Sequence, residues 1–460
     1  MPAALKYSET EMIKKAGLAR NSVVSLFTGC GGLDLGFHEA GFDSIYAADN
    51  DPAAIAVYRK NLGPFAYVRD VTTLEFHSEI QTLGYADVVL GGFPCQGFSK
   101  AGPKKQGDQR NVLYMEMRET IATLKPRIFV AENVDGLSQN FGGAYLRAII
   151  EDFTKVGYRV EHRIVDAVAY GVPQHRRRVL FVGVRADQPD FVWPIATHSL
   201  PRRKGESDID DSMPSLWDPP RTFDLKPAVS IHNALADIPT LGSVEDHHVT
   251  NNWPEKYESV FKAIGPGQKL CNVRHAPSSV YTWQIPEVFG EITPTQQVIL
   301  ETIGRHRRHR RYGDIPNGNP LSVADIEALL GLDVDVTDMQ ALALLGYLKQ
   351  LENKYDLKGA MFCSGLFKRP LWNEPSPTVL TNFHNPRYFL HPTENRPFTL
   401  RECARLQGFP DSFHFTNAGV TLEDGYRLVG NAVPPPISRA LAKAIGEFLS
   451  LDCAETLRAA

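Results

Sequence analysis

The chain has 460 residues, 43% hydrophobic and 22% charged, which excludes bulk disorder and favours a catalytic core plus a second lobe. Lysine and arginine number 49 against 53 aspartate and glutamate, so a globally basic surface for nucleic acid is excluded and only local patches remain. No apolar run reaches membrane-spanning length, and the six cysteines lack the spacing of a disulfide framework or a zinc site. We therefore expect a cytoplasmic protein that holds no metal.

The first part of the chain is predicted to form an α/β, Rossmann-like domain. Ser8 and Glu11 are placed as a capping box, so residues 1–21 are predicted to form a helical extension. Between residues 22 and 190, short β-branched runs alternate with amphipathic stretches, the pattern of a parallel sheet covered by helices. The predicted strands are residues 23–27, 44–48, 87–90, 127–131 and 179–184. Ligands of such sheets bind at the carboxyl ends of the strands.

A glycine-rich turn and an acidic residue follow the first two predicted strands. Residues 28–32 read Thr-Gly-Cys-Gly-Gly, and Asp49 ends the next strand twenty positions after Gly29. That spacing is typical of a carboxylate that holds ribose hydroxyls. Asp34 stands where a third glycine would complete G-x-G-x-x-G, which favours a nucleoside without a pyrophosphate. Asp70, after a third predicted strand, is placed to meet an adenine amino group.

Residues suited to covalent chemistry follow the later strands. Pro94 and Cys95 lie in a loop fixed by glycines and a proline, which leaves the thiol exposed at the ligand end of the sheet. Glu132 ends the next strand, so a nucleophile and a proton donor are predicted side by side. Alternation along the strand sends Arg176 and Arg178 to one face, where both guanidinium groups would meet one ligand.

The sequence pattern becomes irregular after residue 190, and we expect a second domain over residues 191–371. Predicted helices at 293–306, 321–331 and 337–349, followed by extended residues 354–362, indicate a winged helix-turn-helix insert over about 290–365, with bases read by its last helix. Five arginines are predicted to grip DNA phosphates beside it: Arg305, Arg307, Arg308, Arg310 and Arg311.

Residues 372–460 are expected to return to the catalytic domain. Their last helix carries an apolar residue at every fourth position, which predicts one buried face. These apolar residues are Ile437, Leu441, Ile445 and Leu449.

Six blocks then occur in a fixed order along the chain. They are F-x-G-x-G-G at 27–32, the block around G-F-P-C-Q at 92–99, E-N-V at 132–134, Q-x-R-x-R at 174–178, R-E-C-A-R-L-Q-G-F-P at 401–410 and G-N-A-V-P-P at 430–435. Together they resemble the ordered motifs of the DNA cytosine-5 methyltransferases. The resemblance implies a Rossmann-like methyltransferase core that uses S-adenosylmethionine, releases S-adenosylhomocysteine and acts on double-stranded DNA.

The resemblance also implies residue roles. Cys95 would add to cytosine C6, Glu132 would hold N3 and the exocyclic amine, and Arg178 would reach O2 of a base rotated out of the duplex. Arg176 would brace the loop or a phosphate. Two further residues, Gln96 and Ser99, would steady the loop over the DNA backbone. The cofactor contacts implied are Phe27, Thr28, Gly29, Cys30, Gly31, Gly32, Asp49, Asn50, Asp70, Pro94, Asn431 and Ala432.

Two positions depart from the family pattern. Asp49 stands where relatives usually carry the longer glutamate, and Asn50 where a bulky residue is frequent, so both cofactor contacts are expected to be looser. The alternatives left open are a transfer RNA cytosine-5 methyltransferase, a catalytically inactive DNA-binding regulator of this fold and, more distantly, a nicotinamide dehydrogenase. We expect a bacterial or phage-encoded monomer that works with a cognate restriction endonuclease or neighbouring defence proteins.

Overall fold

The structure is a computed structural model that describes residues 21–94, 113–139, 143–201, 225–249, 253–272, 277–315, 318–358 and 365–459. The predicted N-terminal helix lies outside these residues. The chain divides into two compact units. The first comprises Met1–His247, Asn373–Thr381 and Leu400–Ala460, and the second comprises His248–Trp372 and Asn382–Thr399. The first unit thus extends past residue 190, where the sequence pattern placed a boundary.

The elements are numbered here in chain order. The strands are β1 (Ser22–Leu26), β2 (Asp43–Asp49), β3 (Ala66–Val68), β4 (Val88–Gly91), β5 (Ile128–Val134), β6 (Tyr158–Asp166), β7 (Arg177–Arg185), β8 (Lys269–Leu270), β9 (Ser279–Val280), β10 (Leu321–Ser322), β11 (Leu348–Leu351) and β12 (Lys354–Leu357). The helices are α1 (Gly32–Glu39), α2 (Pro52–Leu62), α3 (Leu74–Leu83), α4 (Leu113–Leu124), α5 (Gly136–Gln139), α6 (Ala144–Lys155), α7 (Ile231–Leu235), α8 (Lys256–Ala263), α9 (Pro286–Phe289), α10 (Pro294–His306), α11 (Val323–Leu330), α12 (Val336–Leu345), α13 (Leu400–Gln407), α14 (Leu422–Asn431) and α15 (Pro435–Ala459). Among the described residues, no helix has the length and apolar character needed to cross a membrane.

One sheet organises the first unit. Its seven strands, counted within the described residues, lie in the order β3-β2-β1-β4-β5-β7-β6. Strands β1 to β5 are parallel to one another, whereas β7 is antiparallel to both β5 and β6. The prediction of a parallel sheet is therefore wrong at this edge. A strand's direction depends on how its connections cross the sheet, which local residue patterns do not encode.

Alternating residues of the central strands divide between two apolar layers. Val24 of β1 and Val89 of β4 belong to a cluster that includes apolar residues of α3, α4 and α6. Val23 and Val88, one position earlier, belong to a second cluster that includes residues of α1 and α15. Because successive side chains of a strand point to opposite faces, the two layers cover the two sides of the sheet.

The C-terminal helix α15 packs closely against α1. Its four predicted apolar positions are all buried, which confirms the expected buried face. The helices approach most closely at Gly36, where an added Cβ would overlap Ser438 Oγ and the backbone nitrogen of Arg439. The Ser438 hydroxyl also donates a hydrogen bond to the carbonyl of Leu33. The start of the chain and its end therefore share one interface beneath the sheet.

The second unit has its own core around α10, α11 and α12. Thr293 caps α10 and Ser322 caps α11, each through a complete capping box, and Gly331 ends α11 in a left-handed conformation. A small sheet of order β10-β12-β11 lies in the same unit, with β11 and β12 forming an antiparallel hairpin. The three helices predicted from the sequence in this region are confirmed, with α12 ending earlier than expected.

The α1–α15 contact gives the first prediction. Gly36→Ala should lower the free energy of unfolding by about 1–3 kcal/mol, because the added methyl group would overlap the backbone of Ser438 and Arg439 as well as the Ser438 hydroxyl. Gly446→Ala in α15 is the matched control, since its Cβ would lie 3.9 Å from the Phe42 ring and alanine favours the helix. Urea unfolding of both variants measures the difference. Equal stabilities would contradict the close packing.

Candidate active site

The strand register brings the predicted site residues to one edge of the sheet. Leu26 at the end of β1 lies opposite Ala48 of β2 and Gly91 of β4, and Gly91 lies opposite Ala131 of β5. The residues after each of these positions therefore lie side by side. Because β7 is antiparallel, its beginning reaches the same edge, with Arg178 opposite Val134.

The glycine turn, defined here as residues 27–32, leaves β1 with a left-handed backbone. Phe27 has φ 54° and Gly29 has φ 55°. The Asp49 carboxylate fixes the turn, since Oδ2 accepts the Gly29 N–H at 2.8 Å and Oδ1 accepts the Asp51 N–H at 2.9 Å. Burial raises the pKa of Asp49. At Gly29, the position that a Cβ would occupy has no heavy atom within 4 Å, so the turn borders open space there.

A second carboxylate supports the same turn from inside. Asp34 is 1% exposed, and its oxygens accept the Thr28 hydroxyl at 2.8 Å and the Tyr58 hydroxyl at 3.1 Å. Burial raises the pKa of Asp34 to about 6 against the opposing effect of the Thr28 hydrogen bond. The prediction for Asp34 concerned only the absence of a third glycine. The signal for its structural role was a carboxylate in the first turn of a helix that follows a buried strand.

The remaining predicted cofactor residues lie around this turn or at the end of α14. Cys30 is buried with its thiol toward the Leu428 carbonyl, and burial raises its pKa to about 12, so only its backbone can face a ligand. Gly31 adopts φ 90°, and Gly32 packs against the Val433 carbonyl. Five predicted positions remain: Asn50, Asp70 and Asn431 are exposed, Pro94 is half-buried and Ala432 is buried.

Glu132 and Arg178 form an ion pair at this edge. Arg178 Nε lies 2.7 Å from Glu132 Oε1, and both side chains are nearly nine-tenths buried. The other carboxylate oxygen, Oε2, would lie 3.6 Å from a Cβ added at Gly92, three positions before Cys95. Asn133 ties this strand to the same loop, because its Nδ2 donates to the Phe93 carbonyl at 3.0 Å. This role of Asn133 was not predicted from the sequence.

The loop itself is described only up to Pro94, which is half-buried. Three residues predicted for catalysis and DNA contact, Cys95, Gln96 and Ser99, lie outside the described residues.

Arg176 departs from its prediction. It is 1% exposed, and its Nη1 and Nη2 donate to the carbonyls of Val379 at 2.9 Å and Gly430 at 2.7 Å. Burial lowers the pKa of this guanidinium, and the nearby Arg178 adds to that effect. The expectation that both arginines reach one ligand is corrected, because two backbone carbonyls distant in sequence occupy Arg176.

The arginines between residues 305 and 311 in the second unit likewise differ in exposure. Arg305, Arg308, Arg310 and Arg311 are exposed, and Arg305 pairs with Glu301 at 3.2 Å. Arg307 is 3% exposed and forms a bidentate ion pair with Asp356 of β12. The prediction of a phosphate contact is therefore wrong for Arg307, whose charge is paired with the Asp356 carboxylate inside the second unit.

Comparison with known proteins decides the family. The profile of the C-5 cytosine-specific DNA methylases matches residues 21–447. The chain belongs to this family. The protein is thus a DNA cytosine-5 methyltransferase, as the six ordered motifs predicted.

Similar proteins match this methyltransferase over nearly its whole length. The type II methyltransferase M.BspRI of Lysinibacillus sphaericus is 39% identical over 93% of this chain and 82% of its own. The type II methyltransferase M.AgeI of Thalassovita gelatinovora is 30% identical over 93% of this chain and 99% of its own. A solved E. coli structure, described as a prophage-encoded DNA modification methyltransferase, has 23% identity, a TM-score of 0.50 and coverage of 94% of this chain and 100% of its own. That likeness supports the α/β fold.

The contrast between Arg176 and Arg178 gives the second prediction. Arg176→Lys should lower the free energy of unfolding of this methyltransferase by about 1–3 kcal/mol, because one ammonium group cannot satisfy two separated buried carbonyls. Arg178→Lys, two positions along, should cost less, since lysine can still pair with Glu132. Chemical denaturation of both variants gives the comparison. A larger loss of stability in Arg178→Lys would overturn the structural assignment of Arg176.

Proposed function

We propose that this enzyme transfers a methyl group from S-adenosylmethionine to C5 of a cytosine rotated out of a specific duplex DNA sequence, through a covalent bond to Cys95. The observation that carries the proposal is the position of Glu132. Its carboxylate is paired with Arg178 on one side and borders Gly92, in the loop leading to Cys95, on the other. A proton donor and a thiol nucleophile are thereby supplied to one edge of the sheet.

The reaction follows from the chemistry of these groups. The Cys95 thiolate forms a bond to cytosine C6, and a proton passes from Glu132 to N3, so the ring electrons accumulate at C5. Carbon C5 then takes the methyl group, with S-adenosylhomocysteine as the leaving group, and the C5 proton leaves to a base, either water or a side chain. The C6–sulfur bond breaks, Cys95 departs as the thiolate and the N3 proton returns to Glu132, which restores the neutral aromatic ring. Base rotation is required because C5 and C6 are inaccessible within a stacked duplex.

Arg178 has two tasks in this proposal. It holds one oxygen of Glu132 and directs the other toward the loop, and it offers the remaining guanidinium N–H groups to O2 of the base. Fixed donors of this kind stabilise charge that develops in the transition state. Gln96 and Ser99 are proposed to contact the DNA backbone next to the flipped base. Arg176 is proposed to act at a distance, by holding the start of β7 in place.

The residues at the glycine turn fit an adenosyl cofactor. Asp49 lies at the end of β2 with one hydrogen bond at each oxygen, and each oxygen retains a further lone pair for a ribose hydroxyl. The open space at Gly29 allows a ligand to approach the backbone. Asp70, which is exposed and whose carboxylate accepts hydrogen bonds from Thr72, is proposed to contact the adenine amino group. When bound, S-adenosylmethionine supplies an electrophilic methyl group on its sulfonium.

We further propose that the first unit performs catalysis and binds the cofactor, and that the second unit recognises the target sequence. The order α10, β10, α11, α12, β11, β12 in the second unit supports a winged helix-turn-helix interpretation, with the β11–β12 hairpin as the wing. The exposed residues Arg308, Arg310 and Arg311 are proposed to contact DNA phosphates. Arg305, paired with Glu301, is a weaker candidate for the same role.

The biological setting is inferred from the relatives. Both reported sequence relatives are type II methyltransferases, which supports a restriction-modification role in which methylation protects host DNA from a cognate nuclease. We propose a monomeric bacterial enzyme acting in the cytoplasm. Bisulfite sequencing of DNA from cells that express the protein tests the function directly, because it reports the modified base and its flanking sequence together. Unmodified cytosines throughout would refute it.

The third prediction concerns the nucleophile. Cys95→Ser should abolish methyl transfer, because a hydroxyl near its ordinary pKa is a far poorer nucleophile than a thiolate, while DNA binding should persist. On duplex DNA with 5-fluorocytosine at the target, the unaltered enzyme should form a denaturant-resistant adduct, since fluorine cannot leave as a proton does. Cys403→Ala is the matched control, as burial raises the pKa of that thiol, and it should keep the adduct. Substantial turnover by Cys95→Ser would exclude the assigned role.

The fourth prediction concerns the proton donor. Glu132→Gln keeps the side-chain shape and an acceptor for Arg178 but cannot supply the proton, so turnover should fall by about 10²–10⁴-fold. Cofactor affinity should change little. Glu151→Gln on the exposed face of α6 removes one carboxylate elsewhere and should leave turnover unchanged. Single-turnover kinetics with equilibrium cofactor binding separates the effects. Collapse of cofactor binding in Glu132→Gln would instead assign this residue a structural role.

A further inference from the structure

The helix pair of the second unit has an unusual charge for a DNA-reading element. Between residues 321 and 348, which include α11 and α12, the chain carries no lysine, arginine or histidine. The same stretch carries five acidic residues, namely Asp325, Glu327, Asp333, Asp335 and Asp338. The helix that a winged helix-turn-helix would insert into the major groove is thus entirely without cations.

The outer face of α12 is likewise unsuited to a polyanion. Val336, Gln340 and Leu344 recur every four residues along it and are exposed, with Leu344 at 90% of its full accessible area. Asp333 and Asp335 are exposed just before this helix. Duplex DNA carries one negative charge per about 1.7 Å of its axis, and carboxylates within a Debye length of about 10 Å would be repelled by it.

Positive charge is concentrated on other elements of the same unit. We define the basic surface as Arg308, Arg310 and Arg311, which follow α10, together with Lys349 and Lys354 of the β11–β12 hairpin. All five are exposed. Lys354 lies near the start of α11, since Ser322 pairs with it across the small sheet. The Ser322 hydroxyl lowers the pKa of Asp325 in the first turn of α11, and the charges of Lys354 and Arg311 lower it further.

A buried ion pair connects the two parts of the basic surface. Arg307 Nε and Nη2 each donate to an oxygen of Asp356 at 2.7 Å, and Lys349 Nζ lies 3.4 Å from the same carboxylate. Gly318 makes room for this arrangement, because an added Cβ would overlap the Arg307 guanidinium. One buried carboxylate thus neutralises only part of the charge of two cations. The end of α10 and the hairpin are held together with positive charge outward.

We propose that the second unit grips the DNA backbone with this basic surface, and that α12 stays outside the major groove. The inference rests on the proposed assignment of the second unit to DNA recognition, and it replaces the expectation that α12 reads bases. Phosphates of the duplex pass along the hairpin and the end of α10, where each cation releases counterions. The acidic helix pair lies on a part of the unit that the duplex does not touch.

The test compares two variants with the same change of net charge. Arg310→Gln with Lys354→Gln removes two positive charges from the basic surface, at side chains without a hydrogen bond or ion pair to a described residue. Gln340→Glu with Leu344→Glu adds two negative charges to the exposed face of α12. The full-length protein is titrated with a duplex that contains the methylated sequence, across a range of salt concentrations, and methylated sites are mapped in parallel.

The basic-surface variant should bind all duplexes more weakly, with a salt slope smaller in magnitude by about 1.8, since each lost phosphate contact contributes about 0.9. The α12 variant should keep its affinity within about twofold, its slope and its methylated sites. Loss of affinity or altered sites in the α12 variant would place α12 in the groove and overturn the inference, while the methyltransferase function stands. Unchanged binding in both variants would also overturn it. Failure of the proposed methyl transfer would appear separately, as unmethylated DNA with the unaltered enzyme.

Discussion

A buried cation that is bonded to backbone carbonyls, rather than to a carboxylate, joins distant segments of the first unit. Arg176 joins the beginning of β7 to Val379 and to Gly430, more than 200 residues further along the chain. Two buried glutamine side chains reinforce this junction, since Gln174 accepts the Val379 N–H and Gln407 donates to the Ala432 carbonyl. Unmade hydrogen bonds are costly in an interior. The active-site edge therefore depends on segments that arrive from three distant parts of the sequence.

The glycine turn at the same sheet edge combines a strained backbone conformation with two carboxylates that hold it in place. Phe27 adopts a left-handed conformation that a bulky side chain ordinarily avoids. Asp49 and Asp34 hold the turn from two sides through backbone and hydroxyl donors. The shorter side chain at position 49 is sufficient for this structural task, because it already bonds Gly29. A longer acid would have to fold back to make the same contact.

The strands that could be predicted from the sequence were those formed by apolar, β-branched runs that alternate with amphipathic stretches. Apolar β-branched runs revealed five central strands, and the predicted ends of two of them placed Asp49 and Glu132 at one edge of the sheet. The polar strand β6 was missed, because it lies at the sheet edge and carries mainly charged residues with partial exposure. The burial of Arg307 and the exposure of Arg308 could not be predicted from the sequence either. Neighbouring arginines look alike in sequence, and only the distant Asp356 and the space at Gly318 decide which one is buried.

The interface between α1 and α15 also governs when the enzyme can form during its synthesis. One of the two apolar layers joins residues 23–37 to residues 433–449, and a contact of such sequence separation closes late because the loop entropy must be overcome first. While the ribosome is still producing the second unit, that face of the sheet lacks its covering helix. That face of the sheet is therefore completed only after the residues of α15 have been synthesised.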